Sequence, residues 1–141
     1  MTITKQLWAT SPCGKEIFLY TLKNESGAYV QLSNIGAGVV SVVVPDKDGN
    51  LADVVLGYPE AASYFGDGPC AGKVPGRYAN RIALGKFTLD GVEYTLPVNN
   101  GPNHLHGGPE GFQNKVWESR ENEGAVEFLY YSEDGEMGYP G

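Results

Sequence analysis

Lys86-Phe87-Thr88-Leu89-Asp90-Gly91-Val92-Glu93-Tyr94-Thr95-Leu96 is the stretch from which the fold is read. Phe87, Leu89, Val92, Tyr94 and Leu96 alternate with Lys86, Thr88, Glu93 and Thr95, the two-residue period of a half-buried strand. Asp90-Gly91 interrupts the alternation with the residue pair that a tight turn at positive φ prefers. A two-stranded hairpin is predicted here. Working outward, Ile17-Phe18-Leu19-Tyr20-Thr21-Leu22 reads as a strand, and Tyr29-Val30-Gln31-Leu32 as its successor after the turn former Asn24-Glu25-Ser26-Gly27. Val39 to Val44 is β-branched except at Ser41, which predicts a strand covered on both faces. It stops at Pro45-Asp46-Lys47-Asp48-Gly49-Asn50, and Val54-Val55-Leu56 is expected to resume the pattern. Val126 to Tyr131 is a further strand, entered through Asn122-Glu123-Gly124. The one helical stretch, Pro59 to Tyr64, is too short to carry much. Strands at such short intervals predict an all-β chain, an antiparallel sandwich or barrel.

Composition agrees. The 20 glycines and 9 prolines among 141 residues suit many turns, and a hydrophobic content of 41% suffices for a packed core. Seventeen acidic against ten basic residues give a net charge of −7, the wrong sign for a nucleic-acid or anionic-membrane binder. Cys13 and Cys70 are too few for a disulfide scaffold and are expected to be reduced thiols. The N-terminus lacks the apolar core of a signal peptide, and no apolar run approaches membrane-spanning length. A soluble cytoplasmic protein is expected.

Two stretches break the strand pattern: Gly66 to Gly76 and Val98 to Gly111. Loops on a rigid sheet are where binding residues concentrate. Both histidines fall in the second loop, at His104 and His106. In an extended segment this spacing puts them on one side, and with Glu110 they make part of a cupin-like metal motif. That motif needs another histidine, which the chain lacks, and Val98 and Trp117 stand where it has glycines. No metal is expected. His106 precedes Gly107-Gly108, so open backbone beside it would let a ligand approach, whereas His104 suits a role tying down carbonyls. Gly76-Arg77-Tyr78-Ala79-Asn80-Arg81-Ile82 concentrates two guanidinium groups and an amide, groups able to grip vicinal hydroxyls. One arginine at least is expected to pair with surface carboxylates instead.

Other motifs fail. Gly72-Lys73 lacks the rest of a phosphate loop, Asp46, Asp48 and Asn50 lack the glycine and glutamate of a calcium loop, and no nucleophile elbow occurs. Trp8, Tyr64, Phe65, Phe112 and Trp117 are candidates for stacking on a sugar face, with most of them expected in the core.

Four motifs in order resemble one family. Gly76-Arg77-Tyr78-Ala79-Asn80-Arg81-Ile82, Gly85-Lys86-Phe87-Thr88-Leu89-Asp90-Gly91, Asn103-His104-Leu105-His106-Gly107-Gly108, and Gly111-Phe112 with Val116-Trp117 are similar to those of the aldose 1-epimerases (galactose mutarotases). Ser132 to Gly141 resembles that family's next landmark. The resemblance runs from about Ile17 to the end. It implies a large antiparallel β-sandwich of which residues 1–141 are the N-terminal part, with no internal boundary. It implies interconversion of the α and β anomers of free aldoses such as galactose and glucose, with no metal and no organic cofactor. In such catalysis a Glu removes the anomeric proton and a His protonates the ring oxygen, so the ring opens, rotates about C1–C2 and recloses. By the same resemblance Asn80, Arg81 and His106 bind substrate, and His106 assists near the ring oxygen. The family's principal acid His and base Glu come from segments beyond the Gly138-Tyr139-Pro140-Gly141 landmark. The chain alone is therefore expected to be inactive, and to self-associate through unpaired strand edges. The alternative is a non-catalytic carbohydrate-binding module of the same fold.

Overall fold

The computed structural model describes residues 1–66 and 68–141, so Asp67 of the first loop lies outside the described residues. Five strands run as an antiparallel meander in the order β1 (Thr2–Thr10), β2 (Glu16–Lys23), β3 (Tyr29–Ser33), β4 (Gly38–Pro45) and β5 (Leu51–Asp53). Three two-stranded pairs follow: β6 (Arg81–Ile82) with β9 (His104–Leu105), β7 (Lys86–Leu89) with β8 (Val92–Thr95), and β10 (Glu118–Asn122) with β11 (Ala125–Leu129). The regular helical segments are single 3₁₀ turns, including Ala61–Tyr64 inside the predicted short helix. Among the described residues no helix is long and apolar enough to cross a membrane.

The expected β7–β8 hairpin forms as its residues dictate. Asp90 and Gly91 sit at φ 51° and 81°, and Leu89 faces Val92 across the turn. Phe87 faces Tyr94 with rings stacked 5.2 Å apart. In β4 the register skips at Val40, between the pairs Gln31–Ser41 and Leu32–Val39. The bulge lets Val40 and Ser41 both be buried along with Val43, but Val39 and Val42 are only half-buried and Val44 is exposed, so the strand is not covered on both faces as expected.

Val54-Val55-Leu56 does not form the expected strand. The strand is instead Leu51–Asp53, and Val54 and Leu56 are exposed. The cause is Asp53, whose Oδ1 accepts from the N–H groups of Val42 and Val55 at 3.0 Å while Oδ2 accepts from Ser41 Oγ at 2.6 Å. A carboxylate thus takes over the ladder and ends it. The final strand stops at Leu129, leaving Tyr130 and Tyr131 outside it.

Ile17, Leu19, Ile35, Val40, Ala61 and Tyr64 form the core of the meander, with Trp8, Tyr58 and Phe65 packed against it. Buried Asn34 joins this sheet to the later chain. Its Oδ1 accepts from Phe18 N, its Nδ2 donates to Glu16 O, and its carbonyl accepts from Trp117 N. Tyr20 extends the junction, donating to Ser119 Oγ at 2.8 Å and packing edge-on against Phe128. These contacts set the β10–β11 hairpin against the meander. Separate backbone bonds anchor the first long loop to the meander, Val39 N donating to Gly72 O and Val74 N to Gly36 O.

Candidate functional site

The short β6–β9 pairing brings the two loop regions together. Arg81 faces Leu105 and Ile82 faces His104, so Asn80 and His106 meet where the pair ends. Both adopt positive φ, 66° at Asn80 and 53° at His106, and a reciprocal pair of bonds holds them. His106 N donates to Asn80 O at 2.9 Å, and Asn80 N donates to His106 Nδ1 at 2.9 Å. Because Nδ1 accepts, the neutral imidazole carries its proton on Nε2. The second bond therefore makes the half-buried His106 a fixed donor through Nε2.

Arg81 is held from two sides. Its Nη1 donates to Asn80 Oδ1 at 3.0 Å and its Nε to Asn100 Oδ1 at 2.9 Å. Among the described residues none accepts a hydrogen bond from Nη2. Asn99 locks the loop, its Oδ1 accepting from Leu105 N at 2.7 Å and its Nδ2 donating to Leu105 O at 3.0 Å. Asn80, Arg81 and His106, singled out from the sequence, are thus brought together. Asn99 and Asn100 were not singled out; the paired amides beside Gly101 read as a turn, and only the fold shows what they hold.

Gly107 does not open the backbone to a ligand as the sequence suggested, although Gly108 lines the cleft beside His106. Gly107 has φ 83°, and a Cβ there would lie 1.6 Å from Gly76 O; one on Gly108 would lie 2.9 Å from His104 Cε1. The missing side chains let the two loops pack on each other. His104 and His106 do not share a side either, since the left-handed turn at His106 breaks the extended alternation. His104 is fully buried, with Nδ1 2.7 Å from Pro97 O and Nε2 2.7 Å from Tyr139 Oη. A carbonyl only accepts, so Nδ1 donates to Pro97 and Nε2 accepts from the Tyr139 hydroxyl. Burial raises the Tyr139 phenol above its ordinary range and keeps it a donor. His104 is a structural bracket.

Arg77 is not the partner of a surface carboxylate. Its guanidinium donates to Ser132 Oγ at 2.7 Å, to Pro140 O at 2.9 Å and to Glu133 O at 2.5 Å, fastening the 132–140 segment. Glu136 lies in that segment. Its Oε1 accepts from Tyr130 Oη at 2.5 Å and faces Lys115 Nζ at 3.5 Å, and its Oε2 accepts from Ser132 Oγ. Burial opposes ionisation of Glu136, but the two hydroxyls and the ammonium outweigh it and hold the carboxyl below the usual range. Burial, then Glu136, pushes the Tyr130 phenol up to about 12. Glu110 pairs with Lys115 at 3.2 Å. Neither glutamate is placed as a base beside His106. Among the described residues no cluster of three His, Cys, Asp or Glu side chains is arranged to hold a metal.

Of the stacking candidates only Tyr64 is fully buried, while Trp8, Phe65, Phe112 and Trp117 are half-buried. Tyr64 is fully buried against Trp8, and Trp117 donates through Nε1 to Phe112 O with the rings edge to face. Lys73 of the failed phosphate loop is buried and donates to Tyr64 O. Cys13 and Cys70 are unbridged. His106 and Asn100 line a cleft of about 390 Å³ between the two loops. Arg81 borders a separate groove of about 450 Å³ with Tyr78, Phe87, Leu89 and Tyr139.

Comparison with known proteins gives these groups a context. The sequence profile of the family described as Aldose 1-epimerase matches residues 19–141. Galactose mutarotase from Bos taurus is 42% identical over 142 aligned positions, which cover 100% of this chain and 41% of that protein. Aldose 1-epimerase from Escherichia coli K12 is 40% identical over 94% of this chain and 39% of its own length. Among solved structures, galactose 1-epimerase from Lactobacillus acidophilus superposes with a TM-score of 0.85 at 27% identity, over 99% of this chain and 41% of that one. The GalM/aldose epimerase homologue from C. elegans gives 0.81 at 35% identity, over 87% and 38%. The chain spans about two fifths of the length of these relatives, corresponding to their N-terminal part.

Proposed function

The chain belongs to the aldose 1-epimerase family, and from that premise we propose that it provides the sugar-positioning part of a mutarotase site without the acid–base pair that opens the ring. The substrate is a free aldose such as galactose or glucose. The supporting observation is the Asn80–His106 bond pair, which fixes a proton on Nε2 at the cleft, while the Asn80 side-chain oxygen also holds the adjoining Arg81. Mutarotation requires a base to take the proton from the C1 hydroxyl while an acid protonates the ring oxygen. The C1–O5 bond breaks, the open aldehyde rotates about C1–C2, and the reverse transfers close the other anomer. In this scheme His106 donates a hydrogen bond from Nε2 near the ring oxygen, and Asn80 and Arg81 orient ring hydroxyls. These groups hold a sugar in place and polarise it, a contribution of proximity and orientation. None takes the C1 proton.

The carboxylates within reach are unsuited to that step. Glu136 is held below the usual range with both oxygens engaged, and Glu110 is paired with Lys115. Activity in this account needs a Glu and a His supplied from outside residues 1–141, which form the N-terminal part of a single sandwich domain. A non-catalytic sugar-binding module is the second reading, favoured by Asn80, Arg81 and His106 all lying together within this chain. No nucleic acid, membrane or cofactor takes part, and the two unbridged thiols suit a cytoplasmic setting.

Titration of the isotope-labelled chain with galactose, followed by NMR, tests the proposal. Saturable shifts at Asn80, Arg81 and His106 are expected. Saturable shifts confined to other surfaces, or none at all, would refute it.

A further inference from the structure

Gln113 lies in the 3₁₀ turn Phe112–Asn114 and is only 3% exposed. Its Oε1 is cut off from solvent and accepts no hydrogen bond from any described residue. A buried amide oxygen without a donor is uncommon, because its lost hydration goes uncompensated. The packing is close around it. The amide lies against Gly111, where a Cβ would sit 2.7 Å from Oε1 and 2.8 Å from Nε2. Gly36 closes on the backbone behind it, with a Cβ position 2.6 Å from Gln113 O.

Gln113 nonetheless lines the same cleft of about 390 Å³ as His106, Asn100 and Asn114. Among the described residues the polar side chains of the cleft are amides, one imidazole and the Cys70 thiol, with no carboxylate or ammonium. Such a wall suits an uncharged ligand bearing several hydroxyls. A metal ion would need ligands that the described residues do not gather. The terminal torsion of a glutamine is broad and roughly two-fold, so a hydroxyl that offers Oε1 a hydrogen bond can draw the amide round toward the cleft.

We propose that Gln113 is a sugar-binding residue whose Oε1 accepts a hydrogen bond from one hydroxyl of the aldose seated against His106. This rests on the reading that the cleft region binds a free aldose, and it adds a specificity-determining contact to that reading. Discrimination follows from the cost of burial: an aldose lacking that hydroxyl leaves the amide oxygen unpartnered and binds more weakly.

The test uses the whole chain, its Gln113→Met variant, and galactose alongside its monodeoxy analogues. In the wild-type chain the Gln113 side-chain amide resonances should shift saturably with galactose. The Met variant should bind galactose about tenfold more weakly while melting no lower than wild type, since an apolar isostere removes an unpartnered buried oxygen. One monodeoxygalactose should bind wild type as weakly as galactose binds the variant, and the variant should lose nothing further with it. Unchanged galactose affinity in the variant, with normal shifts at His106 and Arg81, overturns the Gln113 assignment and leaves the sugar-site reading standing. A wild-type side-chain amide unmoved at saturation does the same, even if the variant fails to fold. No saturable shift anywhere in the wild type overturns both.

Discussion

Arg77 and Arg81 stand four positions apart and take opposite parts. Arg77 donates to Ser132, Glu133 and Pro140, so Arg77→Ala should destabilise the chain by about 3 kcal/mol in a denaturant titration. Arg81 is exposed and, among the described residues, bonded only to the side chains of Asn80 and Asn100. Arg81→Ala should cost less than about 0.5 kcal/mol, yet abolish the galactose-induced shift at His106. The reverse pattern would mean the two roles are exchanged. Glu136 gives a pH signature. Its folded carboxyl titrates below the unfolded value, so it stabilises above the ordinary carboxylate range, and that contribution fades as pH falls through the folded value. Glu136→Gln should lose about 2 kcal/mol at pH 7 and converge on wild type at acid pH. A constant difference from pH 7 to pH 3 would refute the assignment. None of this was legible from spacing, because Arg77 and Arg81 look alike until the 132–140 segment is seen lying on one of them.

Elements read well where local chemistry fixes them and poorly where distant partners do. The β7–β8 hairpin followed from Asp90-Gly91 and the alternation around it. β10, with the sequence Glu118-Ser119-Arg120-Glu121-Asn122, carries no apolar signal; it becomes a strand because β11 pairs with it and Tyr20 reaches Ser119. β1 was hidden for a similar reason: Lys5 interrupts its apolar side, and that lysine lies 3.7 Å over the Phe18 ring of the neighbouring strand. β5 ended early because a carboxylate replaced backbone donors and acceptors. The loop glycines show the same limit. Gly107 was read as room for a ligand, whereas its missing Cβ makes room for Gly76. Gly107→Ala should therefore disrupt the docking of the loops, costing about 3 kcal/mol or more from the clash and the positive φ together. Thermal melting and the His106 resonance should both report it; wild-type melting would contradict the packing described.

At the scale of the whole molecule, the all-β class was evident from the sequence, and the comparisons place the chain in its family. Tyr78, Leu84, Leu89, Val92, Val98 and Tyr131 are all at least 49% exposed, a large apolar display around the later hairpins. β6–β9, β7–β8 and β10–β11 are two-stranded and leave edges open. The chain alone should therefore self-associate, with a sedimentation coefficient that rises with concentration and falls back when Leu89 and Val92 are replaced by Lys. A concentration-independent monomer would show that these faces are tolerated. The central claim is a division of labour: the chain holds the sugar, and the proton transfers lie elsewhere. Polarimetry of freshly dissolved α-galactose with the purified chain tests it most directly. The account predicts relaxation at the spontaneous rate even when galactose is bound, and acceleration that scales with chain concentration would contradict it.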